Sequence, residues 1–411
     1  MTAINSDPAN GWSRWKNAAW LPAALLIIVQ LASGLRDLPQ MAFILIYLQE
    51  KLGLPPVTIS SVVAGAQVAG MLTALLGGGI TARLGSKWVL VLGLALSGIS
   101  SFAFQVEPFW GVLGLWFFSG VGMALLNVGG ASYLTRIGKK GSLGILAAFY
   151  ALSTTIGGAV GNPLAGVLIE QNGFLAFSWL AIGISAVTTL VVAGLMPHLQ
   201  DHAAEPISLA KLAGRMLATA RQRNVRMVIG QRSLPTIFYG TLLVLIPLMI
   251  NNLTGSKVMV AAYGTANLII ASGAQLLAGR AADRWGAQKP TLVAYSAVII
   301  SGIGLAATNS SIYGLFAFGV LGIAAAWALS TLMYVWVHDG VAKSDHPSTF
   351  GLLHAVWSLS MITGSMVGGW FVSTLPSLPF ILAGLINVGS IFLILAYYGR
   401  QGHTAHPIIE K

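Results

Sequence analysis

Apolar residues run on in twelve long stretches along this chain, and polar residues collect between them. The stretches lie at about 20–48, 57–81, 87–105, 109–134, 142–169, 174–196, 226–251, 257–280, 290–308, 311–337, 348–373 and 378–398. A helix rises about 1.5 Å per residue, so about 20 apolar residues cover the hydrocarbon of a bilayer. The pattern predicts an all-α membrane protein with twelve transmembrane helices. The one substantial internal hydrophilic interval is about 197–224. Within it Ile207, Leu209, Leu212, Met216 and Ala220 alternate with Lys211, Arg215 and Arg221 at roughly helical spacing. That predicts an amphipathic helix on the membrane surface, inside a linker.

Composition agrees with the pattern. The chain has 411 residues, 56% of them hydrophobic and 8% charged, where a soluble domain carries about 25% charged residues. Cysteine is absent, which excludes disulfides, thiolate metal sites and a thiol nucleophile. The formal charge of +11 changes meaning once it is located. With a cytoplasmic N-terminus, 18 of the 22 Lys and Arg residues fall on the inner side. Lys51 and Lys257 fall in outer loops, and Arg36 and Arg232 lie inside spans. The positive-inside rule is then met with both termini cytoplasmic. The excess charge reads as topology and as contact with anionic lipid headgroups, and argues against nucleic-acid binding. Residues 1–19 are polar, and the first apolar run is too long for the core of a cleaved signal peptide.

The two halves of the chain match each other. Gly78, Arg83 and Gly85 pair with Gly279, Arg284 and Gly286 at a constant offset of 201. Gly114, Leu115, Phe118 and Gly122 pair with Gly314, Leu315, Phe318 and Gly322 at 200. Gly144, Leu146, Ser153, Gly157, Val160 and Gly161 pair with Gly351, Leu353, Ser360, Gly364, Val367 and Gly368 at 207. Three segments in the same order at nearly one offset indicate a six-plus-six duplication. The expected divisions are a tail at 1–19, a bundle at 20–196, the linker at 197–224, a bundle at 225–399 and a tail at 400–411.

Gly279-x3-Asp283-Arg284-x-Gly286-x2-Lys289 closely resembles the loop signature of the major facilitator superfamily, and Gly78-x4-Arg83-x-Gly85-x-Lys87 is its degraded partner. The resemblance covers the whole chain. It implies two six-helix bundles related by a pseudo-two-fold axis along the membrane normal, with substrate bound between them near the midplane. It implies a secondary active transporter of the inner membrane, working by alternating access, monomeric, without cofactor or metal. Its partners would be a small-molecule substrate, protons and membrane lipids. Gly157-x3-Gly161-Asn162-Pro163-Leu164-Ala165-Gly166 is similar to the motif of proton-coupled drug antiporters. Asn162 and Ala165 depart from that motif, and Trp116 stands where those antiporters carry arginine. Drug-like efflux and transport of an organic anion or metabolite therefore both stand. The alternative outside transport is a membrane sensor built on the same fold.

By the same resemblance the first, fourth, seventh and tenth spans line the cavity. That brings in Arg36, Asp37 and Gln40, then Asn127, then Arg232 and Tyr239, then Trp327 and Tyr334, with His354 in the eleventh. Asp37 is the one acidic residue in the interior of a predicted span, which makes it the proton-coupling candidate. The alternative is a permanent Arg36–Asp37 ion pair. Sequence neighbours on a helix point about 100° apart, so each is expected to find its own partner. Arg232 is a candidate for a carboxylate or phosphate through its planar fork, or else snorkels to headgroups. His354 is a relay or an interior hydrogen-bonder. Tyr150 and Trp357 are repeat-equivalent aromatics that clamp a flat substrate or pack in the core. The loop residues Gly78, Arg83, Gly85, Gly279, Asp283, Arg284 and Gly286 are the gating candidates. Asp283, which has only Ala82 opposite it in the first copy, is expected near Gly141 and Ser142. No phosphate-binding loop, metal-ligand spacing or Gly-x-Ser-x-Gly element occurs, so the sequence does not read as an enzyme.

Overall fold

The computed structural model describes residues 21–138, 143–199, 209–342 and 346–401. They form helices α1 (Leu21–Glu50), α2 (Pro56–Leu84), α3 (Ser86–Ser100), α4 (Phe109–Ile137), α5 (Leu143–Leu195) and α6 (Leu209–Arg221). Then come α7 (Arg223–Thr254), α8 (Lys257–Trp285), α9 (Gln288–Thr308), α10 (Ile312–Gly340), α11 (His346–Val372) and α12 (Leu378–Gln401). Among the described residues eleven helices are long and apolar enough to cross a membrane. The count is eleven because α5 carries two predicted spans. At 53 residues it would be about 80 Å long if straight, more than twice the hydrocarbon thickness. It breaks at Gly173, with φ +81°, between the two apolar runs. Thr154, before the break, donates to Gln30 of α1 at 2.7 Å. Ser185, after it, accepts from Arg36 of the same α1 at 2.7 Å. Both arms of α5 therefore pack on one helix, and the chain doubles back.

Contacts gather the chain into two compact units. The first holds residues up to Met41 and Ala69–Pro206; the second holds Ala42–Val68 and Ile207–Lys411. The core of the first joins Leu25, Leu26 and Val29 of α1 to Leu90 and Leu94 of α3, Leu126 and Tyr133 of α4 and Val192 of α5. In the second, α7 is the most enclosed span. That unit includes the end of α1. There Lys257 Nζ donates to Glu50 Oε1 at 2.5 Å and to Asn251 Oδ1 at 3.1 Å, and Asn251 Nδ2 donates to Glu50 Oε1 at 2.8 Å.

Small residues set how closely helices approach. Gly157 and Gly161 of α5 lie on the backbone of α1, at Leu31 and Leu35, and Gly34 of α1 lies on Thr154. The second unit repeats the arrangement. Gly364 of α11 lies on the backbone of α7 at Ile237, and Gly240 of α7 lies on Met361. The duplicated glycines are thus duplicated helix crossings. Likewise Ser97 sits beside Gly122 and Ser301 beside Gly322.

The loop glycines have a different reason. Gly85 and Gly286 have φ +79° and +75° with extended ψ, a backbone region open essentially to glycine. Each amide donates to the carbonyl four residues back, Thr81 and Ala282, at 2.9 Å. They end α2 and α8 in the same way.

The amphipathic helix appears as α6, strongly one-sided and packed with α7 and α11. The terminal tails and residues 200–208 lie outside the described residues.

Candidate functional site

Among the described residues, the arginines Arg36 and Arg232 each mark a polar site within the spans, one in each unit. In the first, Arg36 and Asp37 pair with each other. Arg36 Nε donates to Asp37 Oδ1 at 2.6 Å and Nη2 donates to Oδ2 at 2.9 Å. Arg36 is 1% exposed. Its Nη1 donates to Ser185 Oγ, which donates on to the Leu94 carbonyl at 2.6 Å. The ion pair given as the alternative is the geometry seen; the expectation of separate partners is corrected for the carboxylate, while Arg36 has Ser185 besides. Adjacent Cα–Cβ bonds do diverge, but the arginine stem is long enough to bring its planar fork back onto the carboxylate of the next residue. Gln40 is also buried and donates to Ser101 Oγ at 2.7 Å. Asn127 is exposed on α4.

The second site is a cavity of 260 Å³. Helix α7 contributes Gln231, Arg232, Pro235, Thr236 and Tyr239; α8 contributes Gln275; α10 contributes Ala326, Trp327, Leu329 and Ser330; α11 contributes Trp357. The helical period explains the set. Positions 232, 235, 236 and 239 share a face of α7, as do 327 and 330 on α10. Pro235 shapes α7 locally. It has no N–H, so the Gln231 carbonyl loses its helical donor. The Tyr295 hydroxyl supplies one instead, at 3.0 Å. The backbone under the polar end of the cavity is therefore fixed from α9.

Arg232 differs from Arg36 in one respect. Its Nη1 donates to Ser330 Oγ at 2.7 Å. Its Nε is buried with no acceptor. Among the described residues no carboxylate lies within ion-pair distance of it. Beside it, Gln231 Nε2 is also buried without an acceptor. The polar end of the cavity thus presents spare donors and, among the described residues, no anion. The remaining wall combines three aromatic residues, Tyr239, Trp327 and Trp357, with Pro235, Thr236, Gln275, Ala326 and Leu329. The His354 ring stacks on Trp357 at 5.8 Å and 23°.

Of the residues expected around a cavity, Arg232, Tyr239 and Trp327 are brought together, with His354 one ring behind. Tyr334 is exposed and packs on Phe350 at 5.4 Å. Gln231, Gln275 and Ser330 were not anticipated. Ser330 was within reach of the helical period, three residues after Trp327. The gating candidates expected in loops lie instead near the ends of α2 and α8, with only Gly85 and Gly286 beyond them: Gly78, Arg83 and Asp283 are exposed, Gly279 is partly buried, and Arg284 lies over Trp285 at 5.8 Å. The expected partners of Asp283, Gly141 and Ser142, lie outside the described residues. Among the described residues no cluster of three or more His, Asp or Glu suits a metal.

The profile of the Major Facilitator Superfamily matches residues 22–339 and 236–411. The chain belongs to this family of transporters. An uncharacterized MFS-type transporter of Yersinia pseudotuberculosis serotype O:3 (strain YPIII) is 28% identical over 228 residues, 54% of this chain and 57% of the relative. The chain thus spans little more than half the length of that relative. The uncharacterized MFS-type transporter YcaD of Escherichia coli O45:K1 (strain S88 / ExPEC) is 24% identical over 307 residues, 73% of this chain and 75% of that protein. Among solved structures, a mutant form of the nucleoside transporter NupG superimposes with a TM-score of 0.78 at 15% identity, covering 92% of this chain and 99% of NupG. A POT family transporter in complex with 5-aminolevulinic acid gives 0.76 at 12% identity, covering 92% and 96%. At these identities the two structures speak for the fold.

Proposed function

We propose that this protein is a secondary active transporter of small organic anions, working by alternating access in the cytoplasmic membrane and coupled to protons. One observation carries the reading: the Arg232 guanidinium lines a cavity shared with Tyr239, Trp327 and Trp357, with a serine as its hydrogen-bond partner and no carboxylate within ion-pair distance among the described residues. A buried charge without a counter-ion is costly. An anion entering the cavity supplies the missing charge and accepts two parallel bonds from the fork. A cationic drug would meet the same guanidinium and no acid to offset it, so the geometry favours the anion over drug-like efflux. Proton coupling rests on Asp37, the acid set deepest in the described spans. Protonating it would remove one half of the Arg36–Asp37 pair and free Arg36 from its carboxylate. The distribution of charge along the chain supports cytoplasmic termini.

The test is ligand-induced thermal stabilisation of the purified full chain. Size-matched probes are benzoate, benzylammonium and a neutral sugar. Benzoate is expected to raise the melting temperature in the parent and not in Arg232→Gln. Stabilisation by benzylammonium, or an equal benzoate shift in Arg232→Gln, would count against the anion reading.

A further inference from the structure

The organic-anion reading leaves two features of the cavity unused, and the inference here rests on that reading. The first is Gln231. It is 6% exposed, it lines the cavity, and its Nε2 has no acceptor. Its own backbone carbonyl is tied to Tyr295, so the residue is anchored at a fixed place beside Arg232. A buried amide donor left unpaired is unfavourable by more than a typical hydrogen bond contributes. A ligand acceptor would satisfy it. The second feature is the wall chemistry. Trp327 and Trp357 both line the cavity, and Trp357 is backed by the stacked His354 ring. Indole faces held by packing favour flat, π-bearing ligands over saturated ones.

We infer that the cavity selects a flat aromatic monocarboxylate carrying a second hydrogen-bond acceptor, with Arg232 taking the carboxylate, Gln231 the second acceptor, and Trp327 and Trp357 the ring. The recognition is one-sided. No acid among the lining residues is available for an ammonium group, so an amino acid with the same ring is excluded by its own positive charge. Size sets a further bound. The 260 Å³ cavity is smaller than the ~300–1,000 Å³ of drug-sized pockets, which fits one ring and its substituents.

The experiment measures dissociation constants by calorimetry on the purified full chain. The probes are benzoate, cyclohexanecarboxylate, phenylalanine and the three pyridine carboxylates. Benzoate should bind about 3–10-fold more tightly than cyclohexanecarboxylate. At least one pyridine carboxylate, whose ring nitrogen is an acceptor, should exceed benzoate by about 3–10-fold. Phenylalanine should not bind. Trp357→Leu should erase the ratio between benzoate and cyclohexanecarboxylate. Gln231→Met, similar in shape but without the donor, should erase the ratio between the pyridine carboxylate and benzoate. The inference falls if the saturated acid binds as tightly as benzoate, if no pyridine isomer exceeds benzoate, or if Gln231→Met keeps the isomer preference. Carboxylates that bind in an Arg232-dependent way without ring preference overturn this inference alone. Carboxylates that fail to bind, or bind Arg232→Gln equally, overturn the organic-anion reading with it.

Discussion

An arginine at membrane depth costs about 2.5–3.5 kcal/mol on insertion scales, and the predicted spans hold Arg36 and Arg232 in their interior. They are treated differently. Arg36 is neutralised by its neighbour Asp37 and held by Ser185. Arg232 has Ser330 and, among the described residues, no acid. The pairing of Arg36 shapes how Asp37 can be tested. Asp37→Asn alone strands a buried guanidinium, and breaking such a pair costs about 3–5 kcal/mol. Its melting temperature should fall markedly. Replacing both members, Arg36→Gln with Asp37→Asn, removes the stranded charge and should recover most of the loss. In vesicles the double variant should still exchange substrate but lose accumulation driven by a pH gradient. Accumulation equal to that of the parent protein would leave Asp37 with a structural role. The two charges were legible from the sequence as out of place. Their pairing stood only as the alternative, because the neighbour rule describes bond directions and not the reach of an arginine. Ser185, 149 residues away, had no local signal at all.

At the scale of helices, the repeat glycines are the crossing points of α1 with α5 and of α7 with α11. A side chain at Gly157 or Gly364 would have to enter the backbone of the facing helix, at Leu31 or Ile237. Overpacking of this kind costs about 1–3 kcal/mol or more. Gly157→Leu and Gly364→Leu should therefore lower the melting temperature by comparable amounts. Gly183→Ala, in α5 with open space around it, should leave it nearly unchanged. Equal tolerance at all three positions would break the link between repeat and crossing. Most of the fold was legible at this scale. Span length and hydropathy marked the helices, and the glycine offsets marked the duplication. What they did not show was that the chain turns between 142–169 and 174–196 at a single glycine, Gly173 with φ +81°, because hydropathy marks spans and not the geometry of a turn. The cavity was half legible. Arg232 and Trp327 stood out by residue type, whereas Gln231 and Ser330 become functional candidates only through what they face.

For the whole molecule, the predicted topology puts most basic residues on one side of the spans, which favours one orientation in a membrane. The chain has no cysteine, so a single one is easily followed. Gln222→Cys, at the exposed start of α7, should be labelled by an impermeant maleimide in inverted vesicles and not in intact cells. Labelling in intact cells would reverse the orientation. The central claim is that Arg232 makes this carrier one of organic anions. The most direct measurement is counterflow of labelled benzoate in proteoliposomes, parent against Arg232→Gln, with both variants shown to be folded by their melting curves. The parent should exchange benzoate, other carboxylates should compete while benzylammonium does not, and Arg232→Gln should exchange it at least roughly tenfold more slowly, the loss of a charged hydrogen-bond pair. Exchange by Arg232→Gln at the parent rate would contradict the claim.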